Sequence, residues 1–415
     1  MSKQTSGENV RLRSGRARKL FLLLFSISIA IAVAEIFLRV IGYSYPNFYM
    51  PDAERGVALR PNMEGWYRKE GQSYVRINSD GLRDREHAKT KPADTVRIAV
   101  IGDSYAEALQ VPMENAFWYV MEQRLQGCVS LGGKRVEVIN FGVSGYGTAQ
   151  ELITLRRKVW EYSPDIVLLA LTTYNDITDN ARALKKTDQI PYFVLRDGQL
   201  FMDDSFRDTK KFRMRTSIPG RLGDWFLNSS RLIQLIDQSL LALKYYVTSK
   251  KPAAAQSLIM QARNEQAAIQ ASEEIGIDNM IYREPQGEVW NNAWRVTESL
   301  IAEMNREVKA RNAKFLVVTL SSGIQVAPDA AGRQAFLQKI GATDIFYPDN
   351  RIKAFGDDEG FAVLNLAPQL QAYADEHRVY LHGFGKLLGS GHWNQEGHRV
   401  AGEIIAQKIC EGIAG

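Results

Sequence analysis

Apolar and polar positions divide the chain into three stretches with different rhythms. The first is an apolar run, Leu20–Ala34, fifteen residues without a charge. Glu35 interrupts it, and Ile36–Phe37–Leu38 and Val40–Ile41 continue it around Arg39. As a helix, Leu20 to Tyr43 would measure roughly 36 Å at ~1.5 Å per residue. That length spans a bilayer with Glu35 and Arg39 at the far interface. The second stretch, residues 44–95, is rich in Pro, Gly and charge. It reads as a linker and N-terminal layer, with a short strand at Ser73–Ile77 and a turn at Asn78–Gly81.

The third stretch alternates regularly. Strands at Val96–Ile101, Val136–Asn140 and Asp165–Leu171 are separated by helical spacing over Glu114–Leu125 and Thr148–Tyr162. The rhythm breaks over residues 181–290. This insertion holds a hairpin at Ile190–Met202 turning on Asp197–Gly198, a helix over Ser230–Val247 and an Ala/Gln-rich helical stretch, Lys251–Glu274. It resumes over residues 291–415, with a helix at Trp290–Arg311, a strand at Lys314–Leu320 and a helix at Arg333–Ile340. A strand at Gly360–Leu366 and a last helix at Asn394–Cys410 complete it. Near-continuous apolar strands between helices predict a parallel sheet covered on both faces. The expected fold is α/β, five-stranded, with the two core segments 96–180 and 291–415 and one insertion after strand three. Ligands in such sheets bind outside the carboxyl ends of the strands.

Charge sharpens the reading of the amino terminus. Of 415 residues, 52 are Lys or Arg and 47 Asp or Glu, a net +5. Lys3, Arg11, Arg13, Arg16, Arg18 and Lys19 against Glu8 account for that excess, so the remainder is neutral and no nucleic-acid-binding face is expected. A basic tail (residues 1–19) before an apolar segment (20–43) places the tail in the cytoplasm and the rest of the chain outside it. The expectation is an inner-membrane anchor with the main domain in the periplasm or outside the cell. The alternative is a cleaved signal peptide, with Ala32–Val33–Ala34 as its A-x-A site.

The loops at the strand ends carry the chemistry. After strand one stands Gly102–Asp103–Ser104–Tyr105, where a serine before a helix is placed as a nucleophile. After strand two, Asn140–Phe141–Gly142–Val143–Ser144–Gly145–Tyr146–Gly147 lets the backbone approach a ligand. After strand three, Asn175 offers a carboxamide. Before the last helix comes Gly391–His392–Trp393–Asn394–Gln395–Glu396–Gly397–His398, in which His392 is placed as a general base. Phosphate-binding glycine motifs are absent, and His392 with His398 lacks a third ligand nearby, so neither a metal nor a cofactor is expected.

In this order the four blocks resemble the SGNH/GDSL hydrolase superfamily, over roughly half of the chain. The resemblance implies a flavodoxin-like α/β/α sandwich. It implies Ser104 as nucleophile, His392 as base, and the N–H groups of Ser104 and Gly145 with the Asn175 amide as oxyanion donors. The anchor and Asn78–Asp80–Gly81–Arg83 resemble bacterial envelope members. One position departs from the pattern: the family carries an Asp two or three residues before the histidine, where this chain has Ser390 and Gly389. Ser390, a backbone carbonyl or a remote carboxylate then orients His392, or the site works as a Ser–His dyad, or it is inactive.

The implied function is a serine esterase acting on an acylated glycan or lipid of the cell envelope. The alternatives are an O-acyltransferase on an exopolysaccharide, resembled by Gly-His-Trp-Asn, and a degenerate domain that binds polysaccharide or other envelope biosynthesis partners. The insertion is expected to form a lid or partner surface. In it, Leu232, Ile233, Leu235, Ile236, Leu240, Leu241 and Leu243 are expected to pack on the core, and Lys210, Lys211, Arg213 and Arg215 to form a solvated face. The sandwich would also set the first and last helices side by side, making Cys128 and Cys410 neighbours that can form a disulfide.

Overall fold

The computed structural model describes residues 5–249 and 278–413; the Ala/Gln-rich stretch expected to be helical lies outside the described residues. In chain order the strands are β1 (Tyr49–Asp52), β2 (Gly56–Leu59), β3 (Glu64–Tyr67), β4 (Ser73–Arg76), β5 (Thr95–Gly102), β6 (Arg135–Asn140), β7 (Ile166–Thr172), β8 (Tyr192–Arg196), β9 (Gln199–Asp203), β10 (Lys314–Leu320) and β11 (Ala362–Asn365). The principal helices are α1 (Thr5–Val40), α2 (Phe117–Leu125), α3 (Thr148–Arg157), α4 (Ile218–Ser229), α5 (Arg231–Ser249), α6 (Glu288–Ala310), α7 (Ala330–Ile340), α8 (Tyr347–Glu359), α9 (Ala367–His377) and α10 (Gln395–Cys410). They fall into two units. Residues 48–217 and 251–415 make the larger, and residues 1–47 with 218–250 the smaller.

The larger unit is built on a five-stranded parallel sheet in the order β11-β10-β7-β5-β6. Alternation along each strand sends successive side chains to opposite faces. Ile98, Val100, Val138, Leu168 and Val318 meet α2, α9 and α10 on one face. Ala99, Ile101, Ile139, Leu169 and Val317 meet α3, α6 and α8 on the other. The three-layer α/β/α sandwich expected from the sequence is the fold observed. The strand order reverses between β5 and β7, and the crevice beyond their carboxyl ends is where such sheets place a ligand. Cys128, just beyond α2, and Cys410, at the end of α10, are disulfide-bonded, with Cα atoms 5.7 Å apart.

Residues 44–95 are more ordered than their composition predicts. Two hairpins, β1–β2 and β3–β4, form an N-terminal layer whose Phe48, Leu59, Val75 and Ile77 pack on Leu109, Val143 and Tyr146. Strands of four residues are too short for a period to show, so only β4 was visible in the sequence. The hairpin β8–β9 turns on Asp197 and Gly198, both at left-handed φ (51° and 76°), as the Asp-Gly pair requires. Helices α8 and α9 escaped the sequence reading; both carry a proline in their first turn, where proline is tolerated.

The smaller unit comprises α1, α4 and α5. In α1, Arg18–Val40 is a 23-residue apolar segment, long enough to cross a membrane, with none of its most apolar 18-residue window buried. Helix α5 matches the helix read over Ser230–Val247, but the expected packing of its apolar residues on the core does not hold for Ile236, Leu240 and Leu243, which are exposed, while Leu232, Ile233 and Leu235 are half-buried. The physical reason is that α5 shares its compact unit with α1 and α4.

Candidate active site

Ser104 opens a single helical turn, Ser104–Glu107, directly after β5. Asp103 caps that turn: its Oδ1 accepts from the Tyr105 N–H at 2.9 Å. Its Oδ2 accepts from Asn175 Nδ2 at 3.3 Å, which ties the loop after β5 to the loop after β7. Asp103 is fully buried, and burial pushes its carboxyl above the usual range against the hydrogen bonds it accepts.

His392 reaches this loop from the segment before α10. Its Nε2 lies 2.7 Å from Ser104 Oγ. That segment is held from both sides. Gly383 N–H donates to the His392 carbonyl and Asn394 N–H to the Leu381 carbonyl. The Asn394 side chain caps α10, accepting from the Glu396 and Gly397 N–H groups. Tyr105 hydroxyl donates to the Gly391 carbonyl at 3.1 Å, and its ring lies 5.0 Å from the imidazole. Trp393 is buried, with Nε1 donating to Ser321 Oγ. His382 lies behind the segment, its Nδ1 2.8 Å from the Gly391 carbonyl and its Nε2 3.1 Å from Ser321 Oγ. Burial pulls the His382 pKa down to about 4, so it is a neutral structural imidazole.

A carboxylate of the N-terminal layer meets His392. Glu70, in the turn between β3 and β4, places Oε2 2.5 Å from His392 Nδ1. Its Oε1 accepts from the His392 backbone N–H at 2.7 Å. Two glycines make this approach possible. A Cβ on Gly391, at φ +76°, would lie 2.2 Å from Glu70 Oε1. A Cβ on Gly71, at φ +63°, would lie 2.4 Å from the Gln110 carbonyl oxygen. Ser390, one of the orienting groups considered from the sequence, is corrected by this geometry. Its hydroxyl donates to the Leu387 carbonyl, within its own loop, and the imidazole's Nδ1 is taken by Glu70. The remote carboxylate is the alternative the structure contains.

Burial lowers the His392 pKa, but the hydrogen bond and charge of Glu70 outweigh it and the net shift is upward. The reciprocal holds for Glu70: burial raises its pKa, while its hydrogen bonds and charge interaction with His392 bring it below the usual carboxylate value.

Ser104, Asn175 and His392 line one cavity of about 800 Å³. Tyr174, Phe336 and Tyr380 give it aromatic wall, and Lys185, Asn279 and Ser322 polar wall. Lys185 and Asn279 belong to the two ends of the insertion. Gly145 lies in the loop after β6 at φ +79° and is not among the residues lining the cavity. The neighbouring Ser144 hydroxyl donates to buried Glu107, which fixes that loop against the helical turn that Ser104 opens. His398 is buried, and its Nδ1 accepts from the Phe117 N–H, so it stands apart from His392. Among the described residues no cluster of three His, Cys, Asp or Glu side chains is arranged to hold a metal ion.

No protein-family model and no curated protein matches this sequence. Among solved structures the chain is similar to the acetyl xylan esterase AlAXEase, at 12% identity and TM-score 0.35, over 76% of this chain and 98% of that one. It is similar to a putative lipolytic protein of the G-D-S-L family from Desulfitobacterium hafniense, at 12% identity and TM-score 0.34, over 75% and 98%. Another is Axe2, an acetylxylan esterase from Geobacillus stearothermophilus, at 10% identity and TM-score 0.35, over 77% and 94%.

Proposed function

We propose that the chain is a serine ester hydrolase acting through a Ser104–His392–Glu70 triad. The observation that carries this reading is the continuous relay: Ser104 Oγ to His392 Nε2 at 2.7 Å, and His392 Nδ1 to Glu70 at 2.5 Å. Nucleophile, base and orienting acid are in contact at once, which a merely structural histidine does not need.

Ser104 Oγ attacks the acyl carbonyl carbon while His392 Nε2 takes its proton. Glu70 holds the tautomer with Nδ1–H and stabilises the imidazolium. The tetrahedral oxyanion receives the Ser104 N–H, which has no intrahelical acceptor at the start of its turn, and the second hydrogen of Asn175 Nδ2. Collapse breaks the ester C–O bond, and His392 returns the proton to the departing alcohol. Water then attacks the acyl-serine and gives its proton to His392; collapse breaks the acyl C–Oγ bond, His392 returns the proton to Ser104 Oγ, and the carboxylic acid leaves.

The cavity supports a substrate larger than the acyl group. Its aromatic and hydroxyl-bearing walls suit the faces and hydroxyls of sugar rings, so the substrate class proposed is an acylated glycan of the cell envelope. Room for a second alcohol also keeps transfer to a glycan hydroxyl as the second reading. The Arg18–Val40 segment with its basic flank is proposed as an uncleaved anchor, with the larger unit on the periplasmic side. The test is turnover of p-nitrophenyl acetate by the full chain. Ser104→Ala is expected to lower kcat by at least about 10³-fold, and an unchanged rate would refute the assignment. Acetate release with and without a glycan acceptor separates hydrolysis from transfer.

A further inference from the structure

Two helices of the smaller unit carry apolar stripes outward and buried or half-buried polar side chains inward. On α4, Ile218, Leu222, Trp225 and Phe226 follow one another at steps of four, three and one residue and so share one face. They are 50–76% exposed. On α5, Ile236, Leu240 and Leu243 form a second outward stripe. The inward positions include polar side chains beside buried Leu38. Gln234 is fully buried, and its Oε1 accepts from the Tyr45 N–H at 2.8 Å. Asn228 Oδ1 accepts from the Asn47 N–H at 2.8 Å. Exposed apolar stripes over buried, hydrogen-bonded polar groups are what an apolar solvent favours.

The two charges that interrupt the apolar amino terminus explain how these helices are held. Glu35 caps α5, accepting from Ser230 Oγ and from the N–H groups of Arg231 and Leu232 at 2.9–3.1 Å. Arg39 donates to the Ser229 carbonyl at the end of α4 and pairs with Glu35 at 2.7 Å. The junction of α4 and α5 is thereby fixed at the carboxyl-terminal end of the Arg18–Val40 segment. In an anchored chain that is the level of the headgroups, where Trp225 and Phe226 are at home.

We propose that the α4–α5 hairpin is a membrane-interface element, its apolar stripes lying in the outer face of the same bilayer that α1 crosses. The inference rests on the anchor reading of α1. Continuity with α1 is what selects a lipid surface as the occupant: the stripes begin where that helix leaves the apolar layer, and the polar contacts between α1 and the hairpin fix the hairpin with those stripes outward, beside exposed Arg221 and Ser239.

Both native cysteines are disulfide-bonded, so a single introduced cysteine can carry an environment-sensitive nitrobenzoxadiazole label. The full chain is reconstituted in phosphatidylcholine–phosphatidylglycerol vesicles as Leu24→Cys, Leu222→Cys, Leu240→Cys or Lys339→Cys. Retained esterase turnover shows that each variant is folded. The labels at 24, 222 and 240 are expected to be quenched several-fold more by nitroxide-bearing lipid than by aqueous iodide, and the label at 339 the reverse. Iodide quenching at 222 and 240 with lipid quenching at 24 would overturn the proposal while the anchor stands. Iodide quenching at all four positions would remove the anchor reading and this proposal together. Protection from both quenchers at 222, with Leu222→Cys chains cross-linking to each other, would identify a second copy of the chain as the occupant and also overturn it.

Discussion

At the scale of single residues, the question is what Glu70 does for His392. In the proposed triad the imidazole needs a neutral Nε2 to accept the Ser104 proton, and Glu70 raises the His392 pKa above its ordinary 6.5 despite the opposing effect of burial. Activity is therefore expected to rise with pH through a midpoint above 6.5. In Glu70→Gln the carboxylate's charge is gone, so the midpoint should move down while kcat falls by about 10²–10⁴-fold. A pH–rate profile on p-nitrophenyl acetate reads both effects. Unchanged kcat and midpoint in Glu70→Gln would show that the contact is only structural. Ser390→Ala, which removes a hydroxyl bonded within its own loop, is expected to leave the profile in place.

At the scale of elements, the N-terminal layer is joined to the sheet edge by buried charges. His87 lies 2.8 Å from Glu137 on β6 and 3.2 Å from Asp84, and Arg97 on β5 donates to the other Glu137 oxygen at 2.8 Å. Burial opposes protonation of His87, but its two carboxylate partners win and raise its pKa to about 9. A folded-state pKa above the unfolded ~6.5 gives stability that is complete below pH 6.5 and lost as pH rises through 9. His87→Gln should therefore cost on the order of 2 kcal/mol at pH 6 and much less at pH 9.5. Urea midpoints of parent and variant at the two pH values measure this, and a gap independent of pH would contradict it. The same layer marks where sequence reading stops. Ser104, Asn175 and His392 each sit in a local block at a strand end or helix start, so order and spacing exposed them. Glu70 lies 322 positions from His392, and nothing in Lys69–Glu70–Gly71 announces a partner. Its role arises from the β3–β4 turn and the bare Cα of Gly391. Helix α4 stayed hidden because Pro219, Gly220 and Gly223 mask its period and its apolar face points outward.

At the scale of the whole molecule, the larger unit is closed by one covalent bond across 282 positions. The bond joins the ends of α2 and α10, the helices that follow β5 and precede the carboxyl terminus. α10 begins at the Asn394 cap, two residues after His392. Holding α10 against α2 in the unfolded chain as well as the folded one removes conformations mainly from the former. In the chain-entropy model a loop of this size stabilises by on the order of 5 kcal/mol, and measured gains are often smaller. The double variant Cys128→Ser/Cys410→Ser is thus expected to unfold at a clearly lower urea concentration than the oxidised parent, with an unchanged slope if the folded state is the same. The parent under reducing conditions should match the variant. Since the Ser104–His392–Glu70 contacts do not involve α10 beyond its cap, the variant should keep its kcat under native conditions. Equal midpoints for the oxidised parent and the double variant would show that α10 is held by its apolar packing on α2 alone, through Val400, Ile405 and Ile409.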